Sequence, residues 1–382
     1  MTAASTPASG RAAWRADFPI FERQIYLNSC SLGALSRQSR ARVQEFLGEW
    51  EQRGAAAWYD VWWERLAAVR AAYARAIGTP ADGVALHASI STATSVLASL
   101  LDYRKRPKVV TTDLDFPTVA YQWLARRAQG VEVVIVRSPD GVTVPAELIA
   151  RAVDDRTALV ATSHVYFTTG AIQNVRAVAD AAHRHGAWCY IDAYQSVGQV
   201  SVDVHAMGVD FLSGGGLKWL LGGPGIAFLY ARQDLLPELD PAVTGWFAHA
   251  RQFDFDPHTL VRHADARRLE QGTPALAAVH AQLGGFEVLE AIGYPRVREV
   301  TAALAHDLVA RAQELGLRPH VAPEPDARSA IVMLPSADPA AAVTRLAERG
   351  IVADARPGHV RLSPYFYNTV EDHVAALEAL RG

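Results

Sequence analysis

Apolar residues change their spacing several times along the chain, and each change marks an element. Over Ser36 to Arg53 and Asp60 to Ile77 they recur at helical intervals, which predicts two helices, with Gly78 stopping the second. Farther on come the short apolar runs KVVTT, VEVVIV, ALVATS and WCYID, rich in β-branched residues, which read as strands. Between them lie amphipathic stretches such as VAYQWLARRAQ and NVRAVADAAHRHG. Strands alternating with helices imply right-handed crossovers and a largely parallel sheet, so the middle of the chain is α/β. From about Thr273 the pattern changes to two long helical stretches, the apolar strand SAIVML, the helix PAAAVTRLAERG, short strands at IVAD and HVRLS, and a closing helix. The expected organisation is a disordered tail over 1–15, a large domain over 16–272 and a smaller α+β domain over 273–382. The N-terminal segment is expected to contribute to the small domain and to the site.

Length and composition narrow the class. At 382 residues the chain exceeds the size at which one core keeps growing, which favours a large domain with a smaller one attached. Half of the residues are hydrophobic, 20% are charged and the formal net charge is −3, which fits a globular protein and gives nucleic acid no basic footprint. The opening MTAASTPASG has neither a basic nor an apolar signal region, and no apolar run approaches the ~18 residues of a membrane span. Cys30 and Cys189 are the only cysteines, without disulfide-framework or metal-ligand spacing, so a reducing cytoplasm and no metal are expected.

The chemistry concentrates in SGGGLKWLLGGPG, Ser213 to Gly225, where Lys218 stands between two glycine clusters in apolar surroundings. Glycines let something approach the backbone closely, and a lysine kept from water can lose its proton and act as a nucleophile. In open α/β sheets ligands lie beyond the carboxyl ends of the strands. Asp192 and Gln195 follow one strand in YIDAYQSVG, Phe116 follows another in TTDLDFPT, and SHVYFTTG places hydrogen-bonding side chains after a third. Ser91 and Thr92 open the predicted helix ISTATSVLASL, where free N–H groups and the helix dipole favour an anion. This set suits pyridoxal 5'-phosphate (PLP): a lysine for the Schiff base, an aspartate against the pyridine nitrogen, an aromatic on the ring face, and hydroxyls with helix amides for the phosphate.

Taken in order, YLNSCSLGALS, ISTATS, DLDFPT, TTGAIQNV, YIDAYQSVG, GVDFLSGGGLKWLLGGPGIAFLY, QGTPA and VRLSPYFYNT resemble the class V aminotransferase-like, fold-type I PLP-dependent enzymes. That family includes kynureninases, cysteine desulfurases, selenocysteine lyases and isopenicillin N epimerase-like proteins, and the wording is nearest the kynureninase-like members. The resemblance spans nearly the whole chain. It implies a mostly parallel seven-stranded sheet flanked by helices, with a smaller C-terminal α+β domain. It further implies Lys218 as the Schiff-base lysine, Asp192 against the pyridinium nitrogen, Gln195 near the phenolic oxygen, Phe116 stacked on the ring, and Ser91 and Thr92 on the phosphate. Thr273 of QGTPA resembles a threonine that reaches the phosphate from a neighbouring subunit, which implies a homodimer. Arg361 resembles the arginine that binds the α-carboxylate of an amino-acid substrate, and Trp246 an aromatic position of kynureninase-like members.

The departures from the family are informative too. Leu217 and Gly215 stand where relatives often carry histidine or tyrosine and serine, and Phe167 stands where desulfurases have asparagine. No cysteine follows Cys189, which disfavours sulfur transfer through a persulfide on a C-terminal loop. Cys30 reads as a small apolar filler, His87 as structural, and Trp62 and Trp63 as helix packing or dimer contact. The expected activity is therefore that of a lyase cleaving at the β-carbon of an L-amino acid, of the kynureninase or C–S lyase kind, after Lys218 removes the α-proton. Aminotransfer or epimerisation is the alternative. A PLP-binding regulator without turnover ranks below both, since the stretch before the first helix leaves no room for an added DNA-binding domain.

Overall fold

The computed structural model of this protein describes residues 13–381. A two-residue strand, β1 (Ile25–Tyr26), precedes the central sheet. The sheet's strands in chain order are β2 (Val84–His87), β3 (Lys108–Thr112), β4 (Glu132–Val136), β5 (Thr157–Ser163), β6 (Trp188–Asp192), β7 (Phe211–Gly215) and β8 (Ala227–Ala231). They lie in the order β2-β8-β7-β6-β5-β3-β4. Strands β3 to β7 pair in parallel, and β8 runs against both β7 and β2. The runs KVVTT and WCYID coincide with β3 and β6, while VEVVIV and ALVATS cover β4 and β5 to within one residue. Helices Pro117–Leu124, Ala146–Ala152 and Val175–His183 make the crossovers between β3, β4, β5 and β6. The fold is thus the largely parallel α/β sheet that the alternation implied, with the seven strands that the resemblance implied.

Local chemistry sets the helix ends. The Ser36 hydroxyl accepts the N–H of Ser39 at 2.9 Å and so starts helix Arg37–Arg53. Gly78, at φ 72°, closes helix Trp63–Ile77 in the left-handed conformation that glycine adopts without steric cost. That second helix is preceded by a wider π-helical turn over Trp58–Trp62, where the buried Trp62 indole donates to Glu49 at 2.9 Å.

A second core joins the two ends of the chain. Strands β9 (Val332–Pro335), β11 (Asp354–Arg356) and β12 (His359–Leu362) form an antiparallel sheet in the order β11-β12-β9, and β10 (Ile351–Val352) pairs in parallel with β1. Leu27 shares this core with Leu308, Val332, Leu346, Leu362 and Leu377. Helix Leu276–Ile292 follows Thr273, where the smaller domain is expected to begin, yet it is tied to the large one. Its Gln282 donates to the Leu220 carbonyl at 3.0 Å and accepts from the Tyr73 hydroxyl at 3.1 Å.

Of the stretch expected to be a disordered tail, residues 1–12 lie outside the described residues. Ala13 to Arg15 depart from that expectation and form part of a helical turn. Arg15 makes a two-pronged pair with the buried carboxylate of Asp372, at 2.7 and 3.1 Å, and Trp14 packs edge-on against Phe366.

At the carboxyl edge of the sheet, the buried Asp115 braces β3 to β5. Its Oδ2 accepts from the Thr111 hydroxyl and from both the N–H and the hydroxyl of Thr112, at 2.8–3.0 Å. Its Oδ1 accepts from the Thr162 hydroxyl at 3.0 Å and the Ser163 N–H at 2.6 Å. Burial pushes the carboxyl pKa up while these donors pull it down. Asp115→Ala would strip five buried donors of their acceptor, so urea denaturation is expected to show a loss of about 3 kcal/mol. A change below about 0.5 kcal/mol would mean that the brace carries no stability.

Candidate active site

A cavity of about 380 Å³ opens beyond the carboxyl ends of β3, β5, β6 and β7. Lys218, Asp192, Gln195, Phe116, Ser91 and Arg361 all line it. Residues spread over 271 positions of sequence, from Ser91 to Arg361, therefore face one space.

Lys218 is buried, with its amine 4.6 Å from the Tyr194 ring centroid and 5.7 Å from that of Phe116. Loss of water pulls its pKa down to about 8; nearby Cys30 and Asp192 oppose the shift, and Arg361 and Arg356 add to it. Asp192, at the end of β6, accepts the Tyr194 N–H at 2.8 Å. Burial raises its pKa to about 6 against the pull of that N–H and of Lys218. Gln195 is fixed at both ends, donating to the Cys30 carbonyl at 3.0 Å and accepting from the Trp219 indole at 2.8 Å.

The glycines around Lys218 answer to neighbours. A Cβ on either Gly216 or Gly222 would collide with the side-chain oxygen of Gln282, which enters between the two glycine clusters. The turn is closed by the Gly222 N–H on the Gly216 carbonyl at 2.8 Å. Leu221 takes φ 60° inside this turn, a strained conformation for a branched side chain, and its carbonyl accepts the Ser39 hydroxyl at 3.1 Å.

Arg361, on β12, is 1% exposed. It donates to the Phe167 carbonyl at 2.9 Å and to the Ser31 hydroxyl and the Asp354 carboxylate, each at 2.7 Å. Phe167 meets Phe116 edge-to-face at 5.1 Å on the cavity wall. Cys30, expected as a small apolar filler, is buried and lines the cavity as well.

Three expected site residues do not line this cavity. The Thr92 hydroxyl turns back to its own helix start, donating to the Ser89 carbonyl at 2.7 Å and accepting the Ser89 N–H at 3.1 Å. Trp246 donates its indole N–H to the Gln252 carbonyl at 2.8 Å and stacks on Phe255 at 6.0 Å in an exposed aromatic cluster. Thr273 is exposed, between Gly272 and Pro274 of a separate cavity of about 470 Å³. Among the residues not singled out from the sequence, Ser89, Ser31, Tyr194 and Arg356 line the site. Ser89 had a signal, because Ser-x-x-Thr ahead of an apolar run is a helix cap, and its hydroxyl accepts the Thr92 N–H at 3.2 Å. His87 is buried outside the cavity lining, and burial lowers its pKa to about 3, which keeps it neutral.

The donor set fits PLP. Asp192 is a buried carboxylate facing the cavity that a protonated pyridine would pair. Lys218 is an amine poised near neutrality, and the start of helix Ile90–Ala98 with the Ser89 and Ser91 hydroxyls suits a phosphate. An α/β sheet with an amine, a carboxylate and an anion site at its carboxyl edge defines a fold-type I PLP protein. The chain belongs to the class V aminotransferase family: the family model "Aminotransferase class-V" matches residues 37–375. An uncharacterized aminotransferase, YcbU of Bacillus subtilis, is 32% identical over 367 residues, 96% of each chain. A kynureninase of Bacillus thuringiensis subsp. konkukian is 27% identical, covering 94% of this chain and 88% of its own. In fold, the chain superposes on the cystine C–S lyase C-DES, solved in complex with its reaction product cysteine persulfide, with a TM-score of 0.87 at 20% identity over 95% of this chain and 98% of that one.

The raised pKa of Asp192 has a consequence for stability. Its folded value of about 6 exceeds the ordinary 3.8, so the fold binds this proton more readily than the unfolded chain does, and ionising the group costs stability as pH rises from about 4 to 6. Asp192→Asn removes that cost. In cofactor-free protein, urea denaturation is expected to show the variant gaining on wild type across this range, by at most about 3 kcal/mol. A difference independent of pH would refute the shift.

Proposed function

We propose that the protein is a PLP-dependent lyase that cleaves at the β-carbon of an L-amino acid, with Lys218 as the cofactor-attaching amine and the base. The observation that carries this reading is the amine of Lys218, buried between two aromatic rings in the cavity that Arg361 also lines. In this reading Asp192 holds the proton of the pyridine nitrogen, Phe116 covers the ring face, and Ser91, with Ser89 and the helix start, takes the phosphate. Gln195, whose amide nitrogen keeps a second hydrogen, reaches the phenolic oxygen. When bound, the cofactor supplies an electron-withdrawing ring that can accept the charge left at Cα. Arg361 anchors the carboxylate by charge-assisted hydrogen bonds, which leaves Cα–H as the bond offered to the freed Lys218 amine. A pKa near 8 suits that task, since a good fraction of the amine is unprotonated near neutral pH.

The likeness to kynureninases over 94% of this chain supports cleavage at the β-carbon. Transamination is the second reading, favoured by the name that the Bacillus subtilis relative carries. The proposed assembly is a homodimer, with the exposed cluster of Tyr59, Trp246, Phe253 and Phe255 facing a second copy and Thr273 reaching the partner's phosphate. Thr92 then acts through the phosphate-facing helix start that it caps.

A panel of L-amino acids tests the reaction class: a lyase releases ammonia or a β-substituent catalytically, whereas a transaminase consumes a 2-oxo acid stoichiometrically. Lys218→Ala is expected to lose the covalent cofactor attachment that borohydride makes permanent, and retention of that attachment refutes the assignment. Arg361→Lys keeps the charge without the fork, so substrate capture should fall about tenfold while cofactor binding persists. Sedimentation of a fully active monomer would end the role given to Thr273.

A further inference from the structure

The hydrogen bonds of Arg361 are arranged in a way that the carboxylate-anchor role alone does not explain. A guanidinium has two double-pronged faces, and both use the same terminal nitrogen, Nη2. In Arg361 that nitrogen donates to the Ser31 hydroxyl and to Asp354 Oδ2, while Nη1 donates to the Phe167 carbonyl. Nε is buried without a partner. Neither face therefore offers two free parallel N–H groups to an incoming carboxylate. Asp354 is set there by the sheet, because it stands directly opposite Arg361 in the β11–β12 ladder. The same Oδ2 accepts from the Ser31 hydroxyl at 2.8 Å and forms an ion pair with Arg356 Nη2 at 2.8 Å. One carboxylate is thus shared between two guanidiniums, and the group has one positive charge in excess.

We propose that Asp354 is a built-in placeholder for the substrate's carboxylate, and that substrate binds by displacing it from Arg361 while Arg356 retains it. This rests on the reading of Arg361 given above. In the free protein the placeholder keeps the buried guanidinium from standing unpaired, which is costly. When one carboxylate arrives, the shared arrangement becomes two one-to-one pairs, substrate with Arg361 and Asp354 with Arg356, and the excess charge is neutralised. Arg356 is then a positioning residue that acts through Asp354. The site accommodates one carboxylate, which points to amino acids whose side chains carry no second acid.

The probes are acetate, titrated calorimetrically into cofactor-free protein, and L-alanine and L-aspartate, titrated into the holoenzyme by cofactor absorbance. Asp354→Asn is expected to tighten acetate and L-alanine at least threefold, Arg356→Ala to weaken both about threefold, and the double variant to match Asp354→Asn. Ser31→Ala, which loosens the hold on Asp354 and frees one N–H of Arg361 Nη2, should shift binding in the same direction as Asp354→Asn and keeps the test open if that variant folds poorly. Weaker binding in Asp354→Asn and Ser31→Ala would make Asp354 a fixed brace and overturn the proposal. So would an Arg356→Ala defect confined to L-aspartate, which would make Arg356 a direct anchor for a second acid. Acetate binding unchanged in Arg361→Ala would instead overturn the carboxylate-anchor reading itself, separately from the placeholder.

Discussion

Burying Lys218 and Asp192 in one cavity is the constraint that the surrounding structure has to satisfy. Desolvation disfavours the charged form of both, and it moves their pKa values toward each other, from 10.5 and 3.8 to about 8 and about 6. A group pulled this far depends on water staying out, so the walls matter as much as the titrating atoms. The Tyr194 and Phe116 rings flank the amine, while the Tyr194 backbone N–H stabilises the carboxylate and limits its upward shift, so this one segment after β6 touches both groups. Opening either wall would return both groups toward their ordinary values and remove the reason for placing a lysine there.

The sheet meets that demand through topology. Parallel strands end on the same edge, so Phe116, Ser163, Asp192 and the Lys218 turn arrive together although long crossovers separate them in sequence. The five donors of Asp115 then hold two of those strand ends at fixed separation, one residue before Phe116 and at Ser163. The remaining side comes from the second core. There β1 pairs with β10, and Asn28 bridges to Ser363, so the N-terminal segment bearing Cys30 and Ser31 and the strand bearing Arg361 form one wall. The cavity lies between two cores that share the chain's beginning and end.

Much of this was legible in the sequence, and what escaped has physical reasons. β3, β5 and β6 are continuous apolar runs because both faces are buried, and glycine punctuation marked the Lys218 turn. Ser89 is harder to read because it stands just outside the apolar helical pattern, as the cap immediately before ISTATS, where its hydroxyl accepts the Thr92 N–H. Asp354 and Arg356 lie in a strand of three residues, too short for alternation to reveal a face, and Asp354's ladder partner, Arg361, is seven residues away across a turn. Trp246 lies outside the cavity lining of this chain. A tryptophan between glycine and phenylalanine carries no information about which surface it covers, and here its N–H is used locally by Gln252.

The turn that carries Lys218 shows how local strain is maintained for the sake of the site. Leu221 at φ 60° costs on the order of 1–2 kcal/mol, and a flexible loop would relax it. Here relaxation is blocked from three sides: Ser39 from helix Arg37–Arg53 binds the Leu221 carbonyl, Gln282 from helix Leu276–Ile292 binds the Leu220 carbonyl, and Tyr365 donates to the Trp219 carbonyl at 2.8 Å. Each of the three carbonyls that follow Lys218 is therefore held by a different part of the fold. The amine is the mobile end of a side chain whose backbone is fixed. In the proposed reading, that combination would let the Lys218 amine serve in turn as the attachment point and as the base without the turn having to refold.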